Sequence, residues 1–137
     1  MTGGGDARPS TAPPYVGRRV LVVDDERFIR TLLAGMLGKL GLEVVGTAAD
    51  GAEAVALSDA LTPDLITLDI AMPGMDGLEA LAVILGRRPD ARVLMSTSFS
   101  DRHYVAEAVK RGARGYLTKP FDLAGIRGKL EQLFPPI

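Results

Sequence analysis

Polar residues follow four short apolar runs in this sequence, and their types are those that bind divalent metals and phosphate. Each run is followed by residues that carry carboxylate, hydroxyl or ammonium groups: Asp24, Asp25 and Glu26, then Asp69, then Ser96, Thr97 and Ser98, and last Thr118 and Lys119. If the runs are strands of one parallel sheet, their carboxyl ends meet at one edge and these side chains converge there. Among these residues, the sequence predicts one site that contains the carboxylates of Asp24, Asp25 and Asp69, the hydroxyl of Thr97 and the ammonium of Lys119.

Three carboxylates that share a partly desolvated cleft repel one another unless a cation or a proton joins them. Hard oxygen ligands suit Mg²⁺, which readily shares its coordination sphere with a phosphoryl group. A metal and an ammonium around one carboxylate would neutralise an incoming phosphoryl group and make that carboxylate a competent nucleophile. The residue types together predict a phosphoryl acceptor site on an aspartate, although each residue alone could serve as a helix cap or turn residue.

Segments of helical periodicity separate the apolar runs. The predicted strands are 20–23, 44–45, 65–68, 93–95 and 116–117, and the predicted helices are 28–40, 52–61, 78–85, 104–109 and 122–134. Continuous rather than alternating apolar strands indicate burial on both faces, as in a parallel sheet. The pattern predicts an α/β fold, a doubly wound five-stranded parallel sheet with five helices on its two faces.

Composition narrows the class of protein further. The chain has 137 residues, which is long enough for one domain with its own core. It has no cysteine, so it forms neither disulfides nor thiolate zinc sites. Its 16 basic and 17 acidic residues give no overall attraction for nucleic acid or an anionic membrane. No apolar segment approaches the roughly 20 residues that span a bilayer, so we expect a cytoplasmic protein.

The first 17 residues differ in composition from the rest. They are rich in glycine and proline and almost free of apolar side chains, which is typical of linkers and disordered segments. We therefore predict a disordered tail over 1–17 and a single domain over 18–134.

The polar residues lie within motifs that resemble the receiver domain of two-component response regulators. The motifs, in order, are VVDDE at 22–26, TLDIAMPGMDG at 67–77, LMST at 94–97 and GYLTKPF at 115–121. The resemblance covers 18–134 and implies a flavodoxin-like fold with strand order 2-1-3-4-5. Because few residues follow the last motif, the resemblance points to a stand-alone receiver of the chemotaxis type.

The resemblance also implies roles for the acidic residues. Asp69 is the expected phosphoacceptor, which takes its phosphoryl group from the phosphohistidine of a sensor histidine kinase or phosphotransfer protein. Asp25, Asp69 and the backbone carbonyl of Ala71 are expected to bind Mg²⁺ directly, and Asp24 is expected to act mainly through water on the metal.

Four residues near the other strand ends receive roles in the same way. Lys119 is expected to pair with the phosphoryl oxygens, and Thr97 to donate a hydrogen bond to them. Tyr116 is expected to change rotamer between the inactive and active states. Ser98 stands where alanine is commoner in the family, and its extra hydroxyl could add a hydrogen bond.

The expected output is a change of surface rather than catalysis. The surface predicted to respond to phosphorylation and to contact a downstream output protein comprises 102–111, 115–117 and 122–134. One alternative is a receiver fragment of a longer regulator, whose DNA-binding or enzymatic output domain is missing. A second is a Mg²⁺-dependent aspartyl-phosphate phosphatase of the haloacid dehalogenase type, which places an acid two residues after its nucleophile, where this chain has Ala71.

Overall fold

The computed structural model describes residues 12–136, and strands alternate with helices through this range. The strands are β1 (Arg19–Val23), β2 (Glu43–Ala48), β3 (Leu65–Asp69), β4 (Val93–Thr97) and β5 (Tyr116–Thr118). The helices are α1 (Arg27–Lys39), α2 (Gly51–Leu61), α3 (Gly77–Arg87), α4 (Val105–Lys110) and α5 (Leu123–Leu133), and a 3-10 segment (Phe99–Tyr104) precedes α4. No helix among the described residues is long and apolar enough to cross a membrane.

The strands form one parallel sheet in the order β2-β1-β3-β4-β5, which confirms the predicted fold. The register aligns the carboxyl ends of the three central strands, because Val23 pairs with Leu68 and Asp69 pairs with Ser96. Thr97 pairs with Thr118, so the last residue of β5 lies at the same edge. The sheet therefore brings to one edge the residues that follow four strands.

Apolar side chains cover both faces of the sheet, as the continuous apolar runs indicated. Val20 and Val22 of β1 pack with α1 and α5, whereas Leu21 and Val23 pack with α2, α3 and α4. Successive side chains of a strand point to opposite faces, so a strand buried on both faces must be apolar at every position. This arrangement leaves the sheet edge as the place where polar groups can gather.

Most predicted bounds lie within two residues of the observed ones, and two regions differ more. Strand β2 is longer than the predicted 44–45. The sequence pattern missed its other residues because β2 is an outer strand, where partly exposed and polar side chains are tolerated. The helix predicted at 104–109 corresponds to α4 except at Tyr104, which ends a 3-10 segment that the pattern did not predict. The 3-10 segment buries none of its residues, so it carries no apolar periodicity that could have revealed it.

The predicted disordered tail lies partly outside the described residues, since residues 1–11 are not described. Its last part is packed against the domain, contrary to the prediction. Tyr15 is 3% exposed within the core beside α1 and α5, and the Gly17 amide donates to the Gly41 carbonyl at 2.7 Å. The packed domain therefore begins before residue 18, because a single aromatic ring anchors a segment whose average composition resembles a linker.

Candidate functional site

Three carboxylates meet at the carboxyl edge of the sheet. Asp24 follows β1, Asp69 ends β3, and Asp25 lies beside Asp24 at the start of the loop into α1. Each offers one oxygen, and these oxygens all lie within 4.8 Å of one another. Asp24 and Asp69 are 1% and 4% exposed, whereas Asp25 faces solvent. The structure thus brings together the acidic residues that the sequence singled out and leaves one of them accessible.

Lys119 places the ammonium of this site between two of the carboxylates. Its Nζ lies 2.8 Å from Oδ2 of Asp24 and 3.4 Å from Oδ1 of Asp69. The Lys119 amide donates to the Thr97 carbonyl at 2.8 Å, and the peptide bond to Pro120 is cis. One ammonium therefore serves two buried carboxylates, and the third carboxylate of the cluster lies at the surface.

This imbalance of charge appears in the pKa of Asp69. Burial, and next the negative charge of Asp24, raise that pKa from 3.8 to about 7, although Lys119 acts in the opposite direction. Burial of the Lys119 ammonium favours a lower pKa, but the hydrogen bond to Asp24 and the charges of Asp69 and Asp24 outweigh it and raise the pKa. The cluster is therefore short of positive charge.

A hard divalent cation fits this deficit. The donor set consists of three carboxylates, and the nearest described cation is a single ammonium. Mg²⁺ prefers oxygen ligands that carry negative charge. It gives up its bound waters reluctantly, so a few carboxylates are enough to hold it while water fills the rest of its coordination sphere. The residues present are thus compatible with Mg²⁺.

Asp24 is fixed in place by bonds from several directions. Its amide donates to the Ala48 carbonyl at 3.1 Å, and its Oδ1 accepts from the Glu26 amide at 2.9 Å. Its carbonyl accepts from the guanidinium of Arg30 at 2.7 Å. Arg30 is the fourth residue of α1 and was not among the predicted site residues, and its position six residues after Asp24 is the signal that could have revealed it.

Gly77 allows the loop after β3 to close onto the site. A Cβ at this position would lie 2.1 Å from the Asp69 carbonyl oxygen and 2.7 Å from the Cα of Ile70. The Gly77 amide donates to the Ile70 carbonyl at 2.8 Å, and Asp76 begins α3 with a capping box to Glu79. Gly77 is part of the 67–77 motif, but the sequence does not show why glycine is needed there. The reason is the close approach of its Cα to the backbone of Asp69 and Ile70.

Ala71 lies two residues beyond Asp69, and its side chain is exposed. The metal contact expected of its backbone carbonyl stays a prediction. Its methyl group offers no proton donor or acceptor beside Asp69, which bears on the phosphatase alternative.

Thr97 and Tyr116 occupy the two neighbouring strands. Thr97 is buried at the end of β4, and its hydroxyl donates to the carbonyl of Ser98 at 3.0 Å. Tyr116 is 39% exposed, and the Lys129 ammonium lies 4.9 Å from the centre of its ring. The structure thus places Thr97 at the same sheet edge as the acidic cluster, with its hydroxyl bonded to its own loop, and it places Tyr116 at the surface.

Comparisons with known proteins agree with this geometry. The family model described as the response regulator receiver domain matches residues 20–131. The chain is 41% identical over 114 residues to the chemotaxis protein CheY of Listeria monocytogenes, a match that covers 83% of this chain and 96% of that protein. It is 43% identical over 124 residues to the transcriptional regulatory protein PdtaR of Mycobacterium tuberculosis, covering 90% of this chain and 60% of that protein.

A solved structure shows the same similarity in three dimensions. It is described as the CheX–CheY–BeF3–Mg²⁺ complex from Borrelia burgdorferi. One of its chains superposes with a TM-score of 0.85 at 30% sequence identity, and the match covers 92% of this chain and 100% of that chain.

Proposed function

We propose that Asp69 is the phosphoryl acceptor of this chain. The chain belongs to the family of response regulator receiver domains, which accept phosphoryl groups in two-component signalling. The observation that carries the proposal is the clustering of Asp24, Asp25 and Asp69, with the Lys119 ammonium 2.8 Å from Asp24 and 3.4 Å from Asp69. The donor is the phosphohistidine of a histidine kinase or phosphotransfer protein. A carboxylate oxygen of Asp69 attacks phosphorus, the phosphorus–nitrogen bond breaks, and the imidazole leaves with the bonding electron pair.

The neighbouring residues lower the barrier to this transfer by electrostatics and position. Asp24, Asp25, Asp69 and the Ala71 carbonyl would hold Mg²⁺, which supplies positive charge to the phosphoryl oxygens when bound. Lys119 supplies a second positive charge 3.4 Å from Oδ1 of Asp69. Burial of Asp69 strengthens these interactions, because charges act over a lower effective dielectric constant there than in water.

The signal leaves through a change of surface. The phosphoryl group of an aspartyl phosphate carries about 1.5 to 2 negative charges in place of the single charge of the carboxylate, and Lys119 and the Thr97 hydroxyl respond by moving toward its oxygens. Movement of Thr97 opens space beside β4 that the ring of Tyr116, now at the surface, can occupy. The surface of α4, β5 and α5 would then differ between the two states and bind a downstream output protein.

A signalling role is favoured over phosphatase activity. A phosphatase that forms an aspartyl phosphate needs an acid to protonate its leaving group, and the position two residues after Asp69 holds Ala71. We therefore propose that the phosphorylated protein is the functional product rather than an intermediate in turnover. Absence of phosphate release from small phosphate esters in Mg²⁺ is the corresponding expectation.

Phosphorylation by a small donor tests the assignment directly. Acetyl phosphate and phosphoramidate, which contains the phosphorus–nitrogen bond of phosphohistidine, are each incubated with the protein and Mg²⁺, and intact mass is recorded. We expect the wild type and Asp90→Asn to gain one phosphoryl group, because Asp90 is an exposed carboxylate outside the site. Asp69→Asn should gain none. Equal modification of Asp69→Asn and wild type, or no modification of either, contradicts the proposal.

A further inference from the structure

Ser98 connects the end of β4 to the 3-10 segment through its side chain. Its Oγ donates to Oδ2 of Asp101 at 3.0 Å and lies 3.0 Å from Oγ of Ser100. Ser98 is half-buried, and no side chain caps the first amides of the 3-10 segment. The hydrogen bond from the Ser98 hydroxyl to the Asp101 carboxylate therefore closes the turn that leads from β4 into the 3-10 segment. We call it the Ser98–Asp101 bond.

The carbonyl of Ser98 is bonded to Asp101 as well, and also to Thr97. It accepts from the Thr97 hydroxyl at 3.0 Å and from the Asp101 amide at 3.1 Å. Asp101 thus holds Ser98 at both its hydroxyl and its carbonyl. The carbonyl that Asp101 fixes is also the acceptor for the hydroxyl of Thr97.

We infer that Ser98 and Asp101 are positioning residues that hold the Thr97 hydroxyl on the Ser98 carbonyl and so oppose its transfer to a phosphoryl group. The inference rests on the proposed function, because it concerns the same site. A hydroxyl has one proton, so Thr97 must release the Ser98 carbonyl before it can donate to a phosphoryl oxygen on Asp69. Any bond that keeps this carbonyl in place adds to the free-energy difference between the two arrangements.

The strength of the effect follows from the type of bond. A hydroxyl that donates to a carboxylate forms a charge-assisted hydrogen bond, which is stronger than a bond between neutral groups. Partial exposure reduces its net contribution to that of an ordinary hydrogen bond. Loss of the Ser98–Asp101 bond is therefore expected to tighten binding of a phosphoryl mimic about threefold to tenfold.

Two substitutions remove this bond from opposite ends. Ser98→Ala removes the donor and Asp101→Ala removes the acceptor, and both keep the backbone bonds. Ser100→Ala is the matched control, because it deletes a hydroxyl from the same loop and leaves the Ser98–Asp101 bond intact. Each full-length variant is titrated with beryllofluoride, a phosphoryl mimic, at saturating Mg²⁺, and the methyl signal of Thr97 is followed by NMR.

We expect tighter beryllofluoride binding for Ser98→Ala and Asp101→Ala and a change of less than about twofold for Ser100→Ala. The Thr97 methyl signal of the first two variants should move toward its beryllofluoride-bound position before the mimic is added. Affinities that are unchanged or weaker, or an equal effect of Ser100→Ala, would overturn the inference.

A second background shows whether the effect acts through Thr97. In Thr97→Val, which has no hydroxyl to hold, Ser98→Ala should leave beryllofluoride affinity unchanged. An undiminished effect of Ser98→Ala in that background would contradict the positioning role. If the wild type binds no beryllofluoride at all, the proposed acceptor function fails. If the wild type binds beryllofluoride with an affinity that Ser98→Ala does not alter, only the positioning role fails.

Discussion

The ammonium of Lys119 lies 2.8 Å from Oδ2 of Asp24, closer than to any oxygen of Asp69. Asp24 is held by its own backbone and side-chain bonds, so this pair anchors Lys119 at the edge of the site. The proposed acceptor therefore shares its nearest cation with a second buried carboxylate. The cost of ionising Asp69 and the expected benefit of a divalent cation both follow from this sharing.

The stability of the metal-free protein should depend on the ionisation of Asp69. Its pKa is raised in the folded protein to about 7 from the ordinary value of 3.8, so the folded state binds its proton more tightly than the unfolded state. The contribution of Asp69 to stability is fully present below about pH 4 and is lost as pH rises to about 7, by at most about 4 kcal/mol. Asp69→Asn removes this dependence.

Urea unfolding in a metal chelator between pH 4 and pH 8 measures this effect as the difference between the wild type and Asp69→Asn. The difference isolates Asp69 from the other carboxylates, which titrate in both proteins. A difference in unfolding free energy that is constant over the whole range would show that Asp69 ionises normally.

Addition of Mg²⁺ should stabilise the protein most strongly where Asp69 is ionised. Binding to the folded state alone raises the unfolding free energy by about 2.7 kcal/mol at a concentration one hundred times the Kd. Asp25→Asn should weaken Mg²⁺ binding at least about tenfold, because it removes the exposed carboxylate from a charged donor set. Calorimetric titration gives the Kd, and Asp90→Asn is the control. Equal Kd values for Asp25→Asn and Asp90→Asn would place the metal elsewhere.

Gly77→Ala should disturb the site, whereas Gly86→Ala in the same helix should not. The added methyl at 77 would lie 2.1 Å from the Asp69 carbonyl oxygen, so the loop must shift, at a cost of about 1–3 kcal/mol. At position 86 an added Cβ would meet no atom within 4 Å other than its chain neighbours and the backbone of its own helix, and alanine there should stabilise α3 by up to about 1 kcal/mol. Urea unfolding and Mg²⁺ titration of both variants check this. A Gly77→Ala protein as stable as wild type with the same Mg²⁺ affinity would refute it.

Tyr15 should contribute to folding although it lies in the segment predicted to be disordered. Tyr15→Ala removes a ring that is 3% exposed and should lower the unfolding free energy by about 3–5 kcal/mol. Phe28→Ala removes a ring that is 74% exposed and should change it by less than about 0.5 kcal/mol. Both variants are compared by urea unfolding. Similar small effects would mean that Tyr15 is not part of the folding unit.

Much of the fold could be predicted because local patterns report burial. Val20 to Val23 are apolar at every position since both faces of β1 are covered, and the same holds for most of β3. Strand β2 was underestimated because its outer position permits Thr47 and Gly46 within a strand. The 3-10 segment escaped detection because it buries no residue.

The candidate site was predictable to the level of residue type. Asp24, Asp25, Asp69 and Lys119 each follow an apolar run, and the topology of a parallel sheet is sufficient to bring them together. Arg30 was missed because its contact with a backbone carbonyl leaves no trace in the pattern of apolar residues. The partners of Ser98 were also outside the reach of sequence reasoning, which identified only an additional hydroxyl.

The sequence by itself determined the order of elements, the sheet and the chemical groups at its edge, because strand periodicity and chain connectivity are local properties. Only the tertiary structure decided that Lys119 lies nearer to Asp24 than to Asp69, that the Thr97 hydroxyl is bonded to Ser98, and that Tyr15 is buried. These features depend on distances of a few tenths of an ångström and on the exclusion of water by residues far apart in sequence. Coulombic energies change steeply with distance and desolvation energies with the exclusion of water, and the order of residues encodes neither the distances nor the burial directly.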